Sequence, residues 1–151
     1  MTNSLIMTTS ERGVATVTLH RPDKHNAFDD QLIKALTYQL KSIDEDSSIR
    51  VLVLTGSGES FSSGADLAWM QSMIHYDEIT NHQDAMQLAL LMRTLHQFSK
   101  PTIARVNGSA FGGAIGLIVC CDMAIASEAA MFTFSEIKLG IAPAVISPYV
   151  I

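Results

Sequence analysis

Cysteine, positive charge and long apolar runs are all scarce in this chain, and each shortage removes a class of protein. The only cysteines are the adjacent pair Cys120 and Cys121. They sit in an apolar segment where a bridge between neighbours would be strained, so they read as small buried fillers rather than a disulfide framework. Thiol usage of that kind suits a reducing compartment, and a cytoplasmic location is expected. Lysine and arginine number 10 against 15 aspartates and glutamates, a formal net charge of −5. A nucleic-acid partner, which requires a basic face, is therefore not expected. No stretch reaches the ~20 apolar residues that cross a bilayer, and no membrane partner is expected. Residues 1–7 lack the basic start and apolar core of a secretory leader. The 5 histidines, His20, His25, His75, His82 and His96, show neither H-x-x-x-H spacing nor a nearby cysteine pair, so no metal site is expected. Gly56-Ser57-Gly58 lacks the lysine and hydroxyl that complete a phosphate loop, and no serine lies in G-x-S-x-G.

What is present is ordinary globular material, 48% hydrophobic and 17% charged over 151 residues, enough for one domain with a real core. Val14-Ala15-Thr16-Val17-Thr18-Leu19 alternates as a half-exposed strand does. Asp29 or Asp30 is placed to cap a helix whose apolar positions Leu32, Ile33, Leu36, Leu40 and Ile43 recur at helical spacing. A polar turn at residues 44–48 leads to the strand-like Val51-Leu52-Val53-Leu54. Residues 67–74 carry helical patterning, residues 76–81 read as the most mobile stretch, and residues 85–98 read as a long amphipathic helix. Met86, Leu90, Leu91, Leu95 and Phe98 form that helix's expected apolar side. Pro101 ends it and opens a strand through Val106. Residues 114–121 read as a buried helix, and residues 123–127 and 130–134 as short strands. No internal repeat, low-complexity segment or linker is evident. Strand and helix alternate, which predicts a single α/β layer domain.

Two glycine-rich turns, each between a strand-like and a helix-like run, carry the chemical signal. They are Phe61-Ser62-Ser63-Gly64-Ala65-Asp66 and Asn107-Gly108-Ser109-Ala110-Phe111-Gly112-Gly113. A helix N-terminus offers unpaired N–H donors and partial positive charge, and glycine lets a ligand approach the backbone. Two such turns facing one another could aim two N–H groups at one oxygen, which is how an enolate is held.

The ordered set F-S-S-G-A-D-L, V-N-G-S-A-F-G-G, C-D-M-A-I-A and F-T-F-S-E-I-K-L-G-I resembles the crotonase family, whose members act on acyl-coenzyme A thioesters. The resemblance runs from about Val14 to the last residue. It implies a crotonase-like α/β spiral of ββα units, with residues 1–151 forming an acyl-CoA-binding core. It also implies that a C-terminal helical region, which completes the pocket and contributes trimer contacts, is absent here. His20-Arg21-Pro22-Asp23-Lys24-His25-Asn26-Ala27-Phe28 is similar to the family segment that lies against coenzyme A, which assigns Lys24 and Ala27 to substrate binding.

By the same resemblance Glu136 is the catalytic glutamate, and a carboxylate beside a reacting alkene can move protons to carbon or from water. The N–H groups of Ser63 and Gly113 are the expected oxyanion donors, with Ser63, Gly64, Ala65, Asp66 and Gly113 along the substrate. Two-glutamate hydratases place their other carboxylate at the position held here by Gly116. Trp69, Met70 and Met73 are candidates for the acyl wall, and Asp122 for anchoring a turn. The closing A-x-I-S-P-Y is similar to hydratases of branched or glutaconyl-type substrates. The expected activity is hydration of an enoyl-CoA, with no cofactor beyond the coenzyme A of the substrate and a homo-oligomer, trimer or hexamer, in the full-length form. An enoyl-CoA isomerase is the enzymatic alternative. An inactive acyl-CoA-binding remnant or interaction module is the alternative of another class.

Overall fold

A computed structural model describes residues 4–151, so the reading of Met1, Thr2 and Asn3 lies outside the described residues. Strands β1 (Leu5–Thr9) and β2 (Val14–Leu19) form an antiparallel hairpin. In β2 the buried residues Ala15, Val17 and Leu19 alternate with half-exposed ones, as the period of two requires. Helix α1 (Asp30–Glu45) follows. Its cap is Asp29, whose carboxylate accepts the Leu32 N–H at 2.8 Å, which decides between the two candidate aspartates. All five apolar positions anticipated for α1 are buried.

The main sheet continues through β3 (Val51–Gly56), β5 (Thr102–Val106) and β7 (Met123–Ala126), each parallel to its neighbour, in the order β1-β2-β3-β5-β7. Register places Val17 beside Leu54, Leu54 beside Ala104 and Ala104 beside Ala124. A second, smaller parallel sheet holds β4 (Ser60–Ser62), β6 (Ser109–Phe111) and β8 (Phe132–Thr133). The chain therefore runs long strand, short strand, helix, then repeats that route. After β4 come α2 (Leu67–Ser72) and α3 (Glu78–His96), after β6 comes α4 (Gly113–Val119), and after β8 come a 3₁₀ turn (Ser135–Leu139) and α5 (Ser147–Val150). This is the ββα spiral. Its units share a backbone path and not a set of residues, which is why the sequence shows no repeat.

Helix α3 differs from expectation. It starts at Glu78, where the Asp77 carboxylate caps it by accepting the Thr80 N–H at 2.8 Å, so most of the stretch read as mobile is helical. A polar first turn hides the apolar period. The inward residues are Leu91, Met92 and Leu95, while Met86 is 53% exposed and points outward. These three meet α1 and the sheet residues Leu52 and Leu54 in one core. Strand β7 lies at the sheet edge with all four residues exposed. Asp122, just before it, accepts the Thr102 N–H at 2.8 Å and the Thr102 hydroxyl at 2.9 Å, bonds that hold its carboxyl below the usual range. No helix among the described residues is long and apolar enough to cross a membrane.

Candidate active site

The site begins with the loop after β2, because that loop braces the first glycine turn. His25 and Asn26 both take positive φ, 49° and 54°, which bends the chain back on itself. Asn26 is fully buried and uses its whole amide. Its Oδ1 accepts the Arg21 N–H at 2.8 Å, and its Nδ2 donates to the carbonyls of Ser57 and Ser60 at 2.9 Å and of Phe61 at 3.2 Å. The Arg21 guanidinium donates to the Ala27 carbonyl at 2.6 Å and pairs with Asp29 at 2.9 Å and Asp66 at 3.0 Å. Lys24 reaches the same Asp66 oxygen at 3.0 Å.

Asp66 also caps α2, accepting the Ala68 N–H at 3.0 Å and the Trp69 N–H at 3.4 Å. Burial opposes its ionisation, but Lys24, the two backbone donors and Arg21 outweigh that penalty and hold its carboxyl below the ordinary range. Its main task is thus to lock the turn.

Gly64 sits at φ +86°, and a Cβ there would lie 2.7 Å from the Phe111 carbonyl oxygen and 3.7 Å from the Gly113 nitrogen. The two turns are in contact, and only glycine permits it. Gly64 itself is buried and is not among the residues that line the cavity.

Phe28 and Ala65 form a parallel bridge: the Phe28 N–H donates to the Gly64 carbonyl and the Asp66 N–H to the Phe28 carbonyl, both at 2.7 Å. In such a bridge the middle residue turns its own N–H the other way. The Ala65 N–H accordingly has no acceptor among the described residues. Ser63 was the expected donor, but its N–H already donates to the His25 carbonyl at 2.9 Å. The first turn's free donor is therefore Ala65, two residues on, and only the loop's path over Ser63 reveals it.

In the second turn Gly112 has φ 53° and ψ −125°, and Gly113 opens α4 with an N–H that has no acceptor among the described residues. A Cβ on Gly112 would lie 2.9 Å from Glu136 Oε1 and 3.2 Å from the Ser135 hydroxyl. Glu136 thus stands directly against the turn, carried by the 3₁₀ turn after β8. Its Oε2 is buried and has no hydrogen-bond partner among the described residues. A buried carboxylate oxygen without a partner costs stability, and a catalytic role is one reason for a fold to keep it.

One cavity of about 730 Å³ gathers these groups; Lys24, Ala27, Ser63, Ala65, Asp66, Gly113 and Glu136 all line it. Trp69, Met70 and Met73 form an apolar wall, as anticipated. Sequence reasoning missed the opposite walls, Asn81 to Leu88 on α3 and the run from Leu139 to Ile146. Gly116 lies outside the cavity, and a Cβ there would overlap Ile146 Cγ2 and stand 3.0 Å from Met92 Cε. No carboxylate fits at that position.

The chain has counterparts among known proteins. A crystal structure of an enoyl-CoA hydratase from Shewanella pealeana superposes with a TM-score of 0.94 at 49% identity, over 98% of this chain and 56% of that one. A short-chain-enoyl-CoA hydratase of Clostridium acetobutylicum is 38% identical over 88% of this chain and 50% of its own length. A hydroxycinnamoyl-CoA hydratase-lyase of Pseudomonas fluorescens is 38% identical over 88% of this chain and 49% of its own length. The chain thus spans about half the length of the curated relatives it matches. The family model for enoyl-CoA hydratase/isomerase matches residues 9–151, and with it fold, site and relatives agree that this chain belongs to that family.

Proposed function

We propose that residues 1–151 form the acyl-CoA-binding core of an enzyme that adds water across the α,β double bond of an enoyl-CoA thioester. The observation that carries this reading is the unpartnered Glu136 carboxylate beside two free N–H groups, those of Ala65 and Gly113. The thioester oxygen is bound between the two N–H groups, which strengthen their hold as negative charge develops on it. Glu136, entering this step in its protonated form, delivers the proton to carbon and is left as the carboxylate. The Ser63 N–H, already bonded to His25, supports the turn, and the Ser63 side chain, with Lys24, Ala27 and Asp66, lines the route to the coenzyme A moiety. No cofactor is needed beyond the coenzyme A of the substrate.

The broad apolar wall suits a branched acyl group, and the A-x-I-S-P-Y ending makes a glutaconyl-type tail the substrate to try first. The free cysteines Cys120 and Cys121 suit a reducing cytoplasm. Burial pushes their thiols up to about 11 and about 12, which keeps them unreactive. Exposed apolar residues on the last strands and turns, including Ile125 at 65% and Ile137 at 82%, suit association into a homo-oligomer, a trimer or hexamer. Isomerisation of the double bond is the second reading, favoured by the closed packing at Gly116, which leaves no carboxylate there.

The test is loss of the conjugated thioester absorbance of crotonyl-CoA and 3-methylglutaconyl-CoA. Hydration should occur and fall about 10²–10⁴-fold in Glu136→Gln. Double-bond migration without uptake of labelled water oxygen would select the isomerase reading, and neither reaction would leave a binding module.

A further inference from the structure

Helix α3 turns one stripe toward the interior. Its C-terminal half, Leu88, Leu91, Met92 and Leu95, is apolar, as an inward stripe must be. Steps of three and four residues back along that stripe reach Ala85, Asp84 and Asn81, and all three line the cavity. Asn81 donates to the Tyr76 carbonyl at 3.3 Å, which accounts for its place. Asp84 is only partly exposed and has neither ion pair nor hydrogen bond among the described residues. The contrast with Asp29 and Asp66, both paired with Arg21, is plain. Asp84 is thus a free carboxylate lining the same cavity as Glu136.

Hydration needs protons moved at two neighbouring carbons. On the enoyl-CoA reading the thioester oxygen would sit between Ala65 and Gly113, with Cα near the glycine turn against which Glu136 stands. Cβ would then need a second group from elsewhere in the cavity lining, which includes Asp84. Gly116 has no room for a side chain that could serve it.

We propose that Asp84 is the second proton-handling carboxylate of this site, a role that rests on the enoyl-CoA reading above. Asp84 takes a proton from the water whose oxygen lone pair forms the new bond to Cβ. The π electrons move through the enolate, held by Ala65 and Gly113, and end in the new Cα–H bond with the proton given up by Glu136. Water is added in full: its oxygen and one proton sit on Cβ, its other proton on Asp84. Exchange with solvent through the open cavity then returns Asp84 and Glu136 to their starting states.

The experiment compares wild type, Asp84→Asn, Asp84→Glu and Glu136→Gln in two assays. One is hydration of an enoyl-CoA. The other is exchange of the α-protons of a saturated acyl-CoA with deuterated solvent, which needs only the oxyanion donors and Glu136. Asp84→Asn should lower the kcat of hydration about 10²-fold or more with KM changed less than about threefold, and leave α-exchange within about threefold. Asp84→Glu should recover at least about a tenth of the rate, and Glu136→Gln should lower both reactions about 10²–10⁴-fold. Hydration surviving Asp84→Asn within about threefold overturns the proposal. So does a parallel loss of both reactions, which marks a folding role, or a rise in KM alone, which marks a contact to the acyl tail. A wild type that exchanges but does not hydrate also overturns it. A wild type inert in both assays sinks the enoyl-CoA reading itself, and Asp84's role falls with it.

Discussion

The two glycine turns do the same job by different means. The first is held by added interactions: Asn26 binds three carbonyls, and Arg21 and Lys24 converge on Asp66, which caps the helix beyond. The second is shaped by what is missing, since at Gly112 a Cβ would collide with Glu136. The first turn adds this bracing to a vacated position of its own, Gly64, whereas the second relies on vacated space alone, and the two touch at Gly64, Phe111 and Gly113. A single backbone N–H is left over on each side. Bracing tolerates loss of a member, whereas a vacated space tolerates no addition, so the turns should respond to mutation differently.

Gly112→Ala should have the largest effect. It forces an unfavourable φ of 53° and displaces the carboxylate. Stability should drop by about 1–3 kcal/mol, seen in the urea midpoint. Activity should fall more than tenfold, because misplacing a catalytic group by about 1 Å costs that much or more. Gly64→Ala should lose comparable stability through the Phe111 carbonyl, and an equal loss of activity per unit of stability would blur the distinction between the turns.

Asp66→Asn should come next, at about 1–3 kcal/mol, since the side chain of Arg21 is only 15% exposed and loses a charged acceptor. Its pH dependence has a definite sign. Asp66 titrates lower in the folded protein than in the unfolded chain, so its contribution is complete above the unfolded carboxyl value and is lost as pH falls through the folded one. Urea midpoints for wild type and Asp66→Asn should therefore begin to converge below about pH 4 and meet only once the pH is below the folded value. Lys24→Met should do least to the fold, about 0–1 kcal/mol, because its side chain is 48% exposed and the pair is screened. It should instead weaken acyl-CoA binding, read as a higher KM with kcat preserved.

Much of this was legible in the sequence because the physics was local. The period of α1, the alternation in β2 and the two glycine turns all announce themselves within about a dozen residues. Glu136 and Gly113 could be placed by resemblance because the turns and the strand before the glutamate keep their order. What was hidden depends on other segments. That the Ser63 N–H is already used follows from a carbonyl thirty-eight residues earlier, at His25. That Asp84 of α3 lines the cavity depends on a space lined also by residues 139–146, whereas the start at Glu78 is the local work of the Asp77 cap. Gly64 lies in the motif expected along the substrate, and the approach of Phe111, which requires a glycine there, is not written in that motif.

The central claim is that each turn contributes one N–H to a single oxygen, Ala65 from the first and Gly113 from the second. Replacing one backbone amide by an ester removes that N–H and leaves the side chain in place. With the ester at residue 65, hydration should fall about 10²–10³-fold at nearly unchanged KM. With the ester at residue 63, the bond to His25 is lost, so stability should fall by about 1 kcal/mol while kcat stays within about threefold of wild type. A large loss of kcat at residue 63 together with little change at residue 65 would contradict this account and return the donor to Ser63.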